Sequence, residues 1–154
     1  MSPSHSRKYS VLRYVSDDGL DIYYRTNWRP DLKKSFVVLH PASALNHTSL
    51  SRIERGLNAR GHPTLAFDPR GSGDSDHPLP REYFRLDRVT GDLEGIIRQV
   101  GLERPRILAH SFGFMPAVDY AAKTGNVGHI TGICASHNFL QTAPTRPSST
   151  SSTK

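Results

Sequence analysis

The stretch Ala109-His110-Ser111-Phe112-Gly113 sets a serine between two small residues, each two positions away. A serine hydroxyl is a weak nucleophile until a base takes its proton. It suits acyl transfer when a sharp turn between a strand and a helix holds it exposed, and small flanking residues let neighbouring backbone approach that turn. The helix predicted to begin at Phe112 would aim its positive end, and the Phe112 N–H, at charge developing on an attacked carbonyl. Taken alone, the pentapeptide equally suits a serine that only caps the helix. Two other segments bear on the choice. His40-Pro41-Ala42-Ser43 follows one short apolar run, and Phe67-Asp68-Pro69-Arg70-Gly71-Ser72-Gly73-Asp74-Ser75 follows another. Pro41 has no N–H and cannot donate. In the longer segment Asp68 and Arg70 can pair or bond backbone groups, while Gly71 and Gly73 permit turns with positive φ.

These residues must be placed by the elements around them. Lys8–Val15 and Asp21–Arg25 are strand-like and flank Asp17-Asp18-Gly19, a turn signal, so they predict a hairpin. Phe36–His40, Thr64–Phe67, Arg106–Ala109 and Ile130–Ala135 are short apolar runs of the kind that sit inside a parallel sheet. Helical spacing marks Leu50–Arg60 (Leu50, Ile53, Leu57) and Leu86–Val100 (Leu86, Val89, Leu93, Ile96, Ile97, Val100). Gly61 and Gly101 stop these two helices, and a third is predicted over Phe112–Lys123 with Gly125 at its end. The order predicts an α/β fold: a mostly parallel sheet of about six strands with helices on both faces. Ligands of such sheets bind beyond the carboxyl ends of the strands, which points to the residues after Leu39, Phe67 and Ala109. Residues 1–8 are expected to form a flexible lead, 9–139 the folded part, and 140–154 a disordered Ser/Thr/Pro tail.

The three segments, in this order and each after a buried strand, resemble the N-terminal part of the α/β-hydrolase superfamily, in its serine esterase/lipase-like and iminopeptidase-like branch. The resemblance covers roughly Asp17 to Asn138. It implies that Ser111 is the nucleophile, that Ala42 and Phe112 supply the amides of an oxyanion hole, and that His40, Asp68, Arg70, Gly71, Gly73 and Gly113 are structural. Ala109 stands where the family's motif has its first glycine, and Pro41 where the oxyanion loop has glycine. A serine at the nucleophile position argues against the branches that use aspartate there, the epoxide hydrolases and haloalkane dehalogenases. Asp68 could be mistaken for the acid of a triad, but in this family the acid and the histidine follow the nucleophile in chain order.

The implied reaction of the complete family member is hydrolysis of an ester-type acyl substrate, with no metal and no cofactor. In this chain the resemblance implies impaired catalysis. After Ser111 the sequence holds one acid, Asp119, and two histidines, His129 and His137. Asp119 falls two helical turns along, His129 in a turn at the wrong end of the sheet, and His137 after a strand at the right end. His110 should point away from the Ser111 hydroxyl, and His47 and His62 read as loop and turn residues. The family's last two strands have no counterpart, which leaves Ile130–Ala135 as an edge open to self-association. The alternative reading is a non-catalytic module that binds a small ligand or a protein on the same scaffold.

Composition narrows the rest. The 154 residues are 36% hydrophobic and carry 20 Lys and Arg against 14 Asp and Glu, a net charge of +6. The basic residues are scattered rather than blocked, so a solvated surface is favoured over nucleic-acid binding. No run approaches the roughly 20 apolar residues of a membrane span. With no apolar leader segment after Met1–Lys8, a cytoplasmic protein is the expectation. Cys134, the one cysteine, is expected to be a buried, inert thiol in its apolar run.

Overall fold

The computed structural model describes residues 9–27 and 36–134. Strands β1 (Ser10–Val15) and β2 (Asp21–Thr26) form the predicted antiparallel hairpin, with Val15 opposite Asp21. Its turn closes through Gly19 N–H to the Ser16 carbonyl, at 2.9 Å. Four further strands follow: β3 (Val37–His40), β4 (Thr64–Phe67), β5 (Arg106–His110) and β6 (His129–Ile133). The sheet order is β1-β2-β4-β3-β5-β6. Strands β3 to β6 run parallel, while β2 meets β4 antiparallel. Residues 1–8 and the tail 140–154 lie outside the described residues.

Helices α1 (Ser51–Ala59), α2 (Leu86–Val100) and α3 (Phe114–Thr124) alternate with the strands. Side chains on successive strand residues point to opposite faces, and the core divides accordingly. Val38, Leu65, Phe67 and Ile107 pack with α2 and α3, whereas Val37, Leu39 and Ala66 pack towards α1. Helices therefore cover both faces, as predicted. On α2 the side chains of Val89, Leu93, Ile96 and Ile97 are buried. Each contributes roughly 1.5–3 kcal/mol of transfer free energy. Gly101 ends the helix in the left-handed conformation, φ 71°.

Helix α1 turns its apolar residues to the core and buries polar ones beside them more deeply. Its buried residues are Glu54 and Asn58, while Ile53 and Leu57 are half-buried. Polar partners explain this: Glu54 pairs with Arg25 and accepts from the Thr64 hydroxyl at 3.2 Å. Asn58 accepts from the Asn27 amide at 2.6 Å. A buried ion pair needs such additional bonds to be tolerated.

The third helix also starts later than predicted. Ser111–Gly113 forms a short 3-10 turn, and α3 begins at Phe114. Cys134 is exposed rather than buried. It stands just beyond β6, whose neighbour among the described residues is β5 alone, so the apolar run lacks cover on its outer side. His129 opens β6 instead of lying in the turn before it. Among the described residues no helix is long and apolar enough to cross a membrane.

Candidate active site

Strands β3 and β5 lie side by side with His40 opposite Ala109. Because they are parallel, the residues after each, Pro41-Ala42 and Ser111-Phe112, leave the same edge of the sheet together. That common edge is where a site can form. His110 is still extended (φ −105°, ψ 127°), and the backbone then bends abruptly, with Ser111 at φ 50°. A non-glycine residue in this left-handed region costs on the order of 1 kcal/mol and needs surrounding structure to impose it. Gly113 shows one source of that constraint. A Cβ there would stand 2.5 Å from His40 Nδ1 and 2.6 Å from the Pro41 carbonyl oxygen. Only glycine lets the turn press so closely on the loop after β3.

His40 anchors that loop from below. Its side chain is buried, its Nδ1 lies 2.9 Å from the Pro41 carbonyl, and its ring meets Phe67 edge-on with centroids 4.7 Å apart. Burial pushes its pKa down to about 4, against a small upward pull from the Pro41 carbonyl. The ring is neutral near pH 7 and donates from Nδ1. Pro41 and Ala42 are themselves buried, and the Ala42 carbonyl accepts from Leu45 N–H at 3.1 Å.

The loop after β4 braces the same edge. Asp68 is fully buried, and its Oδ2 accepts from Asp74 N–H at 2.8 Å. Its Oδ1 accepts from His47 N–H at 2.6 Å and faces His47 Nδ1 at 2.7 Å. A Cβ on Gly73, at φ 54°, would collide with the Asp68 carboxylate. Asp68 and Arg70 do not pair with each other, contrary to one of the options above; they diverge. Arg70 grips Asp92 through two bonds of 2.7 Å and reaches Asp18 at 2.8 Å, tying the loop to α2 and to the hairpin turn. Burial opposes its charge, but the two carboxylates outweigh this and raise its pKa. The bond from Arg70 holds Asp18 at about 2, whereas burial lifts Asp92 upward in spite of Arg70. The partnerships of Arg70 with Asp18, and of Asp68 with His47, were not visible in the sequence. They join residues 52 and 21 positions apart through loops.

A cavity of about 140 Å³ opens at this edge, lined by His40, Pro41, Gly71, Phe84, Val89 and Phe112 among others. It is large enough for a short acyl chain or a benzene-sized ring. The other sequence candidates are dispersed. His129 pairs with Arg106, at the opposite end of β5. Five strand residues separate that end from Ser111, a distance of about 16 Å. Asp119 is engaged by Lys123 at 2.7 Å, which lowers its pKa. His110 keeps a buried Nδ1 without a partner among the described residues. His137 lies outside the described residues, and so does Asn138. Among the described residues no cluster of His, Cys, Asp or Glu is placed to hold a metal ion.

Comparison with known proteins bears on the fold. A family model described as alpha/beta hydrolase fold matches residues 36–151. The mesoderm-specific transcript protein of Mus musculus is 29% identical over 154 aligned residues, covering 96% of this chain and 45% of that protein. A proline iminopeptidase of Heyndrickxia coagulans is 36% identical over 84 residues, covering 54% of this chain and 28% of the iminopeptidase. Among solved structures, an esterase from Exiguobacterium antarcticum superposes with a TM-score of 0.72 at 21% identity, over 82% of this chain and 46% of the esterase. The chain thus spans less than half the length of these relatives.

Proposed function

This chain belongs to the alpha/beta hydrolase fold family, and on that premise we propose that Ser111 is the nucleophile of an acyl hydrolase acting on an ester-type substrate. The observation that carries the reading is the left-handed bend at Ser111, set at the carboxyl end of β5 and packed through Gly113 on the loop after β3. In the proposed reaction the Ser111 oxygen attacks the acyl carbon, its proton passes through solvent to the departing alcohol, and the ester C–O bond breaks to leave an acyl-Ser111 ester. The N–H groups of Ala42 and Phe112 donate to the oxyanion of the tetrahedral intermediate, and water then attacks the acyl-Ser111 ester, releasing the acid and restoring the Ser111 hydroxyl. Each such donor contributes roughly 3–4 kcal/mol to transition-state stabilisation. The acyl chain occupies the cavity beside Phe112 and Val89. The similarity to a proline iminopeptidase supports a reaction at a carbonyl.

Turnover by these 154 residues is proposed to be slow. Among the described residues the acid and histidine that would activate Ser111 have no good candidate: Asp119 is committed to Lys123 and His129 stands at the far end of β5. The bend and the amides remain, and they can support on the order of 10³-fold catalysis over water. A fluorophosphonate that labels the native chain but not Ser111→Ala is the expected result. Equal labelling of both removes Ser111 from the mechanism.

The same reading extends to assembly and placement. The outer edge of β6 is proposed to pair with a second copy of the chain, supported by its single neighbour among the described residues and by the exposed Cys134 beside it. A cytoplasmic location fits the polar composition.

A further inference from the structure

His47 is bonded twice to one oxygen of a fully buried carboxylate, a stronger arrangement than a loop histidine ordinarily has. Its backbone N–H and its ring Nδ1 both lie on Asp68 Oδ1, at 2.6 and 2.7 Å. Its ring also packs against Tyr23, with centroids 4.9 Å apart, and its side chain is only 11% exposed. The other oxygen of Asp68 is held by Asp74 N–H, so the carboxylate cannot follow His47 if His47 moves.

From this point bonds run back to Ala42. The Leu45 carbonyl accepts from the Ser72 hydroxyl at 3.0 Å, and Leu45 N–H donates to the Ala42 carbonyl at 3.1 Å. The Asn46 side chain accepts from Thr48 N–H at 3.0 Å and closes the turn that carries His47. Residues 42–47 are therefore suspended between β3 and the loop after β4, with His47 as the far anchor. The loop needs such an anchor, since Ala44 holds φ at 62°, a conformation that relaxes unless neighbours impose it.

We propose that His47 is a positioning residue: by clamping onto Asp68 it holds residues 42–46 in the conformation that presents the Ala42 amide to the oxyanion. The proposal deepens the reading of Ala42 as an oxyanion donor and rests on it. Two variants separate the roles of the ring. His47→Phe keeps an aromatic ring against Tyr23 and loses the donor. His47→Asn loses the ring and keeps an N–H near the position of Nδ1.

Two measurements on the full chain test this. One is amide hydrogen exchange at residues 42–46, with Val38 and Leu39 of β3 as the internal reference. The other is the rate of Ser111 labelling by a fluorophosphonate. His47→Phe is expected to speed exchange at Leu45 and to slow labelling by roughly tenfold or more, the scale of a misplaced oxyanion donor. His47→Asn is expected to restore both, and the β3 amides stay unchanged in each variant. Native exchange in His47→Phe, or an Asn variant no better than the Phe variant, overturns the proposal. Should His47→Phe not fold, the Asn variant decides alone: native-like exchange supports the clamp, an opened loop overturns it. Should the native chain fail to label, the Ser111 reading falls, and the exchange measurement still decides the role of His47.

Discussion

Ser111 and His40 show how the fold at this edge fixes the state of single residues. Ser111 keeps a left-handed backbone, and His40 keeps an uncharged ring. The second has a measurable consequence. In the folded chain the His40 pKa lies at about 4, below its ordinary 6.5. Between those values the unfolded chain binds a proton that the folded chain refuses. Stability is therefore complete above pH 6.5 and falls as the pH drops through 4, by on the order of 3 kcal/mol. Urea unfolding midpoints across that range should decline in the native chain and decline less in His40→Asn. Equal slopes would assign the acid sensitivity to other groups. The bend at Ser111 was legible in sequence because its motif concerns neighbours: Ser111, Phe112 and Gly113 are consecutive. Asp68 was legible as a structural residue, but His47 as its partner was not. Their bond depends on how two irregular loops fold over the sheet, which periodicity does not encode.

At the scale of elements, α2 offers a paired test of close packing. Two of its glycines face different surroundings. A Cβ on Gly91 would meet nothing within 4 Å, whereas one on Gly95 would stand 2.0 Å from the Tyr14 ring. Alanine in a helix interior gains about 1 kcal/mol over glycine. Gly91→Ala should therefore raise stability by about that amount. At Gly95 the same gain is opposed by overpacking, which costs about 1–3 kcal/mol. Gly95→Ala should be destabilising, because α2 cannot back away from β1 without uncovering Leu93 and Ile97. Chemical denaturation of the two variants, with unchanged denaturant sensitivity, would show opposite shifts. Two shifts of the same sign would contradict the packing described. Helix α2 was readable from its sequence to the residue, since one apolar face and a terminal glycine suffice. Helix α1 was readable in position and in its apolar face, but not in the polar residues buried beside that face. Its pattern marked Ile53 and Leu57, while the burial of Glu54 depends on Arg25 and Thr64, from other strands.

For the molecule as a whole, the two ends of the sheet differ. Among the described residues strand β1 pairs only with β2, to which a tight hairpin turn joins it, while β6 pairs only with β5, reached by a parallel crossover through α3. If β6 recruits a second copy, sedimentation velocity should show mass rising with concentration. Thr131→Lys, which sets a charge on the exposed edge, should return the chain to monomer. A native chain that stays monomeric throughout would set the pairing aside. The fold class was legible from the alternation of apolar runs and helices. The exposure of Cys134 was not, because an apolar run signals burial only when a neighbour covers it.

The strand order also constrains how the chain comes into being. Strand β3, at residues 37–40, is flanked by β4 and β5, both made later, and β5 begins only at residue 106. A ribosome must therefore work for several seconds after β3 has emerged before its second partner exists. During that interval an apolar strand, Val37 to Leu39, presents an unpaired side to whatever is nearby. Slowing translation between β4 and β5 would lengthen that exposure.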